Sequence, residues 1–201
     1  MATPTPRNPV GTWSNYFRAS LSKPLHPFYA QLEPHLPSSG RALELGSGVG
    51  HGVLWLLGKG FETTAVDASG EALAWLADRT PESLRARLEI AQCDMRAFPL
   101  EPCAYDVVVA GFSLFFLSRE DLDRLWQSIR GSLRPRGLFM GQFLGPRDEW
   151  AKEYTSHERS DLERMLEGME TLHFEEVERD GKTVQETPKH WHVFHVIARN
   201  S

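Results

Sequence analysis

Arg41-Ala-Leu-Glu-Leu-Gly-Ser-Gly-Val-Gly-His-Gly52 is the stretch on which the reading of this chain turns. Ala42 to Leu45 is a short apolar run that predicts a buried parallel strand, with one acidic residue, Glu44, near its carboxyl end. Glycines then occupy positions 46, 48, 50 and 52, and Val53-Leu-Trp-Leu-Leu57 predicts a helix. Glycine at such a turn tolerates positive φ and lets a ligand reach the backbone without a Cβ in the way. The helix start behind it offers unpaired N–H groups and the positive end of its dipole. Strand, glycine turn and helix together predict a nucleotide-type site.

Spacing decides which nucleotide. A dinucleotide fingerprint requires G-x-G-x-x-G, whose third glycine lets helix and strand pack closely. Counted from Gly46, that third position is His51, and the pattern fails. The spacing present is E-x-G-x-G-x-G, and Asp67 follows twenty-one residues after Gly46, at the end of the strand-like Phe61-Glu-Thr-Thr-Ala-Val-Asp67. This arrangement resembles class I S-adenosylmethionine-dependent methyltransferases. In that family the first acid and the glycine loop hold the methionine end of the cofactor, and the second acid takes the ribose hydroxyls. The resemblance therefore implies S-adenosyl-L-methionine as cofactor and S-adenosyl-L-homocysteine as product. It also implies the fold: an α/β single domain with a doubly wound, mostly parallel, Rossmann-like sheet of seven strands that ends in an antiparallel β-hairpin.

Composition sets the outer limits. At 201 residues the chain suits one domain with a sizeable core. A formal charge of −5 argues against a non-specific nucleic-acid binder, and no apolar run is long enough to span a membrane. Met1 to Val10 lacks the apolar stretch of a signal peptide, and Cys93 and Cys103 are too few for a disulfide framework. The expectation is a cytoplasmic enzyme with a small-molecule partner, no nucleic acid and no membrane.

Three regions are expected: a flexible leader over residues 1–10, a lid or helical segment over 11–40, and the methyltransferase core over 41–201. Trp13, Tyr16 and Phe17 are too many aromatics for a plain tail, and a helix leads through to Leu36. By resemblance this segment folds over the cofactor; alternatively its aromatics, with Phe28, cover one edge of the sheet. Ser69 is a fair N-cap for a helix over Gly70 to Arg79, and Leu88 to Gln92 reads as the third strand. The near-continuous apolar run Tyr105 to Ala110 predicts a central buried strand. Ser118-Arg-Glu-Asp121 opens a helix to Leu133, and Arg134-Pro-Arg-Gly137 reads as a turn before a strand over Leu138 to Phe143. A helix over 157–167, a strand near Thr171 to Glu178, a turn at Asp180-Gly181 and a closing strand Trp191 to Ala198 complete the series.

The resemblance assigns cofactor contacts to Glu44, Gly46, Ser47, Gly48, Gly50, Asp67, Ala68, Asp94, Met95, Ala110, Gly111 and Phe112. Within these, Asp94 reaches the adenine amino group and Met95 packs on the ring; the bland alternative for Asp94 is a turn residue at a strand end. The electrophile comes with the cofactor, so a base is required only for a protonated, high-pKa nucleophile. No catalytic residue is fixed, and the candidates near the mouth are His51, Tyr16, Ser113 and His26. An acceptor pocket is expected from Trp13, Tyr16, His26, Phe115, Phe116 and Arg147. His190, His192 and His195 invite a metal reading, but side chains alternate along a strand, so His192 and His195 face opposite sides. No metal is expected.

Leu45-Gly-Ser-Gly-Val-Gly-His-Gly, Ala65-Val-Asp-Ala-Ser and Lys189-His-Trp-His-Val-Phe-His are similar to the small bacterial tellurite-resistance and thiopurine-type methyltransferases. That likeness implies a soft sulfur, selenium or tellurium acceptor, with an oxygen or nitrogen atom of a metabolite as the other option. Two readings from other classes stay open: a non-catalytic S-adenosylmethionine-binding regulatory module, and a nucleotide-dependent oxidoreductase, which His51 disfavours.

Overall fold

The computed structural model describes residues 12–201, so the leader over 1–10 and Gly11 lie outside the described residues. In chain order the elements are α1 (Trp13–Ser20), α2 (Tyr29–Leu32), β1 (Gly40–Leu45), α3 (His51–Gly58), β2 (Phe61–Asp67), α4 (Gly70–Arg79) and α5 (Glu82–Arg85). They continue with β3 (Leu88–Gln92), β4 (Tyr105–Ala110), α6 (Arg119–Ser132), β5 (Leu133–Leu144), α7 (Arg159–Met165), β6 (Met169–Lys182) and β7 (Pro188–Asn200).

One seven-stranded sheet runs in the order β3-β2-β1-β4-β5-β7-β6, parallel except for β7, which is antiparallel to both neighbours. This is the Rossmann-like class I methyltransferase sheet with its closing hairpin. The chain moves outward one way through β1, β2 and β3 and the other way through β4 and β5. The reversal between β1 and β4 leaves a crevice at the strands' carboxyl ends, where ligands bind in open α/β sheets. Val107, Val108, Val109 and Ala110 are wholly buried, and burial of each valine is worth roughly 1.5–3 kcal/mol. That burial pins β4 between β1 and β5 and so fixes where the loops after them emerge.

Ser69 and Ser118 cap α4 and α6 as their sequence positions predict, each accepting a backbone N–H with its hydroxyl. Three details differ from expectation. The helix towards Leu36 shrinks to α2 and a 3-10 turn over Glu33–His35, because Pro34 cannot continue the α-helical ladder. Arg134–Gly137 does turn, but as an irregularity inside β5: the register jumps from Tyr105↔Leu133 to Val107↔Leu138, with Arg136 at φ 65°. Asp180-Gly181 is not a turn. Both residues pair across the hairpin with His190 and Lys189, the Asp180 carboxylate meets the His190 ring at 2.7 Å, and the chain reverses over 183–187 instead.

Candidate functional site

A cleft of about 1470 Å³ opens at the crevice between β1 and β4. One half is made of backbone and acids. Gly46 stands at φ 72°, and a Cβ there would come within 2.5 Å of the Ser113 Cβ, so only glycine fits the turn. Gly50 N-caps α3 at φ 82°; it faces Leu76 rather than the cleft. Asp67 closes the loop from the next strand: its carboxylate accepts the Gly48 N–H at 2.8 Å and the Ser69 N–H at 2.8 Å. Burial raises its pKa, and those two bonds work against the rise.

Glu44 is buried and only half satisfied. Only 5 % exposed, it accepts the Tyr29 hydroxyl on Oε1 at 2.8 Å, while Oε2 is buried with no partner. Burial pushes its pKa up to about 7, against the Tyr29 hydroxyl and the nearby Val53 N–H, which lower it. A buried carboxylate oxygen without a donor costs roughly 1–3 kcal/mol and persists here at the edge of a cleft. That is the signature of a cationic or hydrogen-bonding ligand group.

The other half is aromatic. Phe112, held at φ 50° with its N–H donated to Gln142 Oε1 at 3.2 Å, turns its ring towards His26, Trp191 and His195. Phe115, Phe116, Trp150 and Tyr154 pack beside it. A non-glycine residue at positive φ is rare enough that the surrounding structure must hold it there. Over both halves lies α1, with Trp13, Tyr16, Phe17 and Ser20 lining the cleft.

The methyltransferase-domain family model matches residues 43–141, the span from β1 into β5. YqeM, a candidate methyltransferase of Bacillus subtilis (strain 168), is 32 % identical over 111 residues, covering 54 % of this chain and 44 % of its own. The chain thus spans under half the length of that curated relative. Among solved structures, TehB from Haemophilus influenzae superposes with a TM-score of 0.76 at 18 % identity, over 95 % of this chain and 68 % of that one. The N-methyltransferase NodS of Bradyrhizobium japonicum WM9, in complex with S-adenosylhomocysteine, gives 0.69 at 16 % identity over 94 % and 96 % of the two chains. A 1,6-didemethyltoxoflavin N1-methyltransferase of Burkholderia thailandensis gives 0.64 at 21 % over 94 % and 80 %. Over residues 43–141 the chain is similar to the methyltransferase-domain family, and its fold is that of solved S-adenosylmethionine-dependent methyltransferases.

Glu44, Gly46, Ser47, Gly48, Asp67 and Ala68 line the cleft together, with Asp94, Met95, Gly111 and Phe112. Two predicted positions do not: Gly50 packs on Leu76, and Ala110 is wholly buried in β4. Asp94 is held ionised by Arg96, which bonds both of its oxygens and whose own N–H groups also reach Asp121. Arg147 misses the pocket altogether. Its guanidinium pairs with Glu176 at 3.1 Å and Glu178 at 2.7 Å on β6 and touches the His192 ring, on the opposite sheet face.

Of the four catalytic candidates, His51 and Ser113 are committed to other partners, Tyr16 is held protonated, and His26 lines the cleft. His51 lines the cleft, but Nε2 meets the Ser20 carbonyl at 2.9 Å and Nδ1 meets Arg79 at 3.3 Å, so the ring ties α1 to the glycine loop. Ser113 donates its hydroxyl to the Leu45 carbonyl at 2.7 Å. Burial, and the Asp67 charge beyond it, hold the Tyr16 phenol above its ordinary range, which keeps it protonated.

The segment over α1 and α2 divides its labour. Trp13, Tyr16 and Phe17 pack with Val49 over the glycine loop, whereas Phe28 packs on the sheet against Val109, Met140 and Ile197. Of the histidines on β7, His190 meets Asp180 and Glu178, His192 meets Glu176 and Arg147, and His195 lines the cleft from the other face. Tyr29, Trp191, Val193 and His195 were missed as site residues. Alternation along β7 places the last three on one face; what marks that face as the cleft is the β5–β7 pairing, which one sequence does not reveal.

Proposed function

We propose that this chain transfers the methyl group of S-adenosyl-L-methionine to a small organic molecule held in the aromatic half of the cleft. The observation that carries this reading is Glu44: a buried, partnerless carboxylate oxygen beside a glycine turn whose next strand delivers Asp67. The cofactor, when bound, supplies a methyl group already activated by its sulfonium, so the chain supplies binding, alignment and exclusion of water.

Glu44 holds the ammonium of the methionine end once it has lost its own proton. Gly46, Ser47 and Gly48 let that end approach the backbone. Asp67 has spent one acceptor direction on each of two N–H groups and keeps others for the ribose hydroxyls. Ala68, Asp94, Met95 and Gly111 frame the adenine side, with Asp94 already oriented by Arg96. Phe112, Phe115, Phe116, Trp13, Tyr16 and His26 bound the acceptor. With His51 and Ser113 bonded elsewhere and Tyr16 held protonated, the rate enhancement rests on proximity.

The resemblance of the glycine loop and the closing strand keeps a soft sulfur or chalcogen acceptor beside an oxygen or nitrogen atom of a metabolite. A dinucleotide-dependent reading has no support in the glycine spacing. Titration of the protein with S-adenosylhomocysteine by thermal shift, beside NAD and NADPH, tests the reading. A ligand that binds only the folded state adds ~2.7 kcal/mol at about 100 times its dissociation constant. A rise with S-adenosylhomocysteine alone is expected, and a rise with a dinucleotide alone overturns it.

A further inference from the structure

The acceptor half has a polar pole, and its hydrogen bonds fix the pole's character. The Phe28 N–H donates to His26 Nδ1 at 3.2 Å, so the neutral His26 ring carries its proton on Nε2 and is a donor. Burial, then Arg179, lowers the His26 pKa, which keeps the ring neutral. His195 stacks on it at 5.6 Å between centroids and is 8 % exposed, with Nδ1 sealed from water and partnerless. Burial, helped by His26, His173 and Arg179, lowers its pKa to about 4, so the ring gains no charge near neutral pH.

Arg179 stands on β6 opposite Trp191, lines the cleft, and pairs with no carboxylate among the described residues. Glu175, across from His195, is turned to His173, and Glu186 at the mouth is held by Lys23 at 2.6 Å and Lys182 at 3.3 Å. The remaining lining acids, Glu44, Asp67, Asp94, Glu120 and Asp121, lie in the cofactor half or beside Arg96 and Arg124. This end of the pocket therefore offers a cation, an N–H donor and flat aromatic walls, and the lining carboxylate at its mouth, Glu186, is already held by two lysines.

We propose that the acceptor is a planar aromatic or heteroaromatic molecule with an anionic oxygen edge, such as a carboxylate, and that His26 and Arg179 are the specificity-determining residues that bind this edge. The inference deepens the methyl-transfer reading and rests on it. The ring lies against Phe112 and Trp191, which supply stacking that a bare oxyanion such as selenite or tellurite cannot use. His26 acts as a donor and takes no proton from the nucleophile. Its neighbour His195 forms the neutral back wall behind it.

The test uses the full chain saturated with S-adenosylhomocysteine and reads ligand binding by calorimetry at pH 7.5. The probes are 2-naphthoate, the similarly shaped cation 2-naphthylmethylammonium, and selenite. The anion is expected to bind at least tenfold more tightly than the cation, and selenite to leave naphthoate binding unchanged. Arg179→Gln and His26→Phe should each shrink the preference for the anion, while His26→Gln, which keeps an N–H donor, should retain most of it. Circular dichroism and unchanged S-adenosylhomocysteine affinity certify that each variant folds. Equal binding of anion and cation, a preference that survives both Arg179→Gln and His26→Phe, or displacement of naphthoate by selenite overturns the proposal. Failure of S-adenosylhomocysteine itself to bind would instead overturn the methyl-transfer reading, and this inference with it.

Discussion

The two halves of the cleft are built by different means. The cofactor half is a short contiguous loop, residues 44–52, closed by Asp67 from the adjacent strand, and its ligand-facing groups are backbone N–H and carboxylate. The acceptor half gathers side chains from α1, the His26 region, the turn after β4, the loop after β5 and both strands of the hairpin. A site made from backbone conformation constrains its own sequence, because few residues can adopt it. A site made from side chains on six separate segments constrains only their sum. One half can therefore stay fixed on this fold while the other is rebuilt for a new acceptor.

The largest expected effect tests whether the halves are energetically separate. Asp67→Ala removes one charge-assisted bond to the glycine loop and one to the Ser69 N–H, together with the ribose acceptor, and each such bond is worth about 1.5–3 kcal/mol. Calorimetry should show S-adenosylhomocysteine affinity falling ~100-fold or more. Trp191→Ala, in the other half, should change that affinity by no more than about threefold. Similar losses from both would mean that the cleft behaves as one unit.

Glu44→Gln should be next in size, a loss of about tenfold in S-adenosylhomocysteine affinity, because a neutral amide replaces the ammonium's partner. Its pH signature is sharper than its magnitude. Glu44 binds the ammonium only when ionised, so wild-type affinity should decline as pH falls through about 7. The Gln variant should show no such decline. A wild-type profile flat from pH 8 to 6 would remove Glu44 from the site.

Why one half was legible in the sequence follows from the same contrast. Glu44, the alternating glycines and Asp67 announce a conformation, and the strand ends, helix caps and buried β4 run announce the sheet around it. His51 misled because its place in the loop is suggestive, while its partners Ser20 and Arg79 come from α1 and α4. Arg147 misled for the reverse reason: the loop position was right, but two glutamates on β6 capture its charge. Asp180-Gly181 carries the local chemistry of a turn and is overruled by thirteen register pairs along the hairpin. In each case a long-range partner decides, and a long-range partner is what local spacing omits.

Trp13 sharpens the comparison from the side of α1. It stacks on Phe17 at 5.7 Å, above the glycine loop, and meets Phe116 edge-on at 5.1 Å, beside the acceptor pocket. If α1 roofs both halves, Trp13→Ala should weaken S-adenosylhomocysteine and 2-naphthoate by a similar factor, about three to five. A loss confined to one ligand would assign α1 to that half alone.

The smallest effects are expected in stability, where the halves should answer acid in opposite senses. Glu44 has a folded pKa of about 7, above its ordinary value of 4.5, so burying its charge destabilises the fold above that range and the penalty is relieved as pH falls from 7 towards 4.5. His195 has a folded pKa of about 4, below its ordinary 6.5, so the unfolded chain takes up the proton first and stability is lost as pH falls from 6.5 towards 4. Buried His157, also lowered to about 4, adds to that loss. Between pH 7.5 and 5, Glu44→Gln should therefore make the melting temperature fall more steeply than in the wild type, since the compensating relief is gone. His195→Phe, which keeps a ring against Phe28, should make it fall less steeply. Each kcal/mol is worth roughly 2–4 °C in a chain of this size, so the two slopes separate in thermal melts run at half-unit pH steps. Parallel slopes would mean that both groups already sit in water-like surroundings, and the buried acid and the buried base that distinguish the two halves would lose their physical basis.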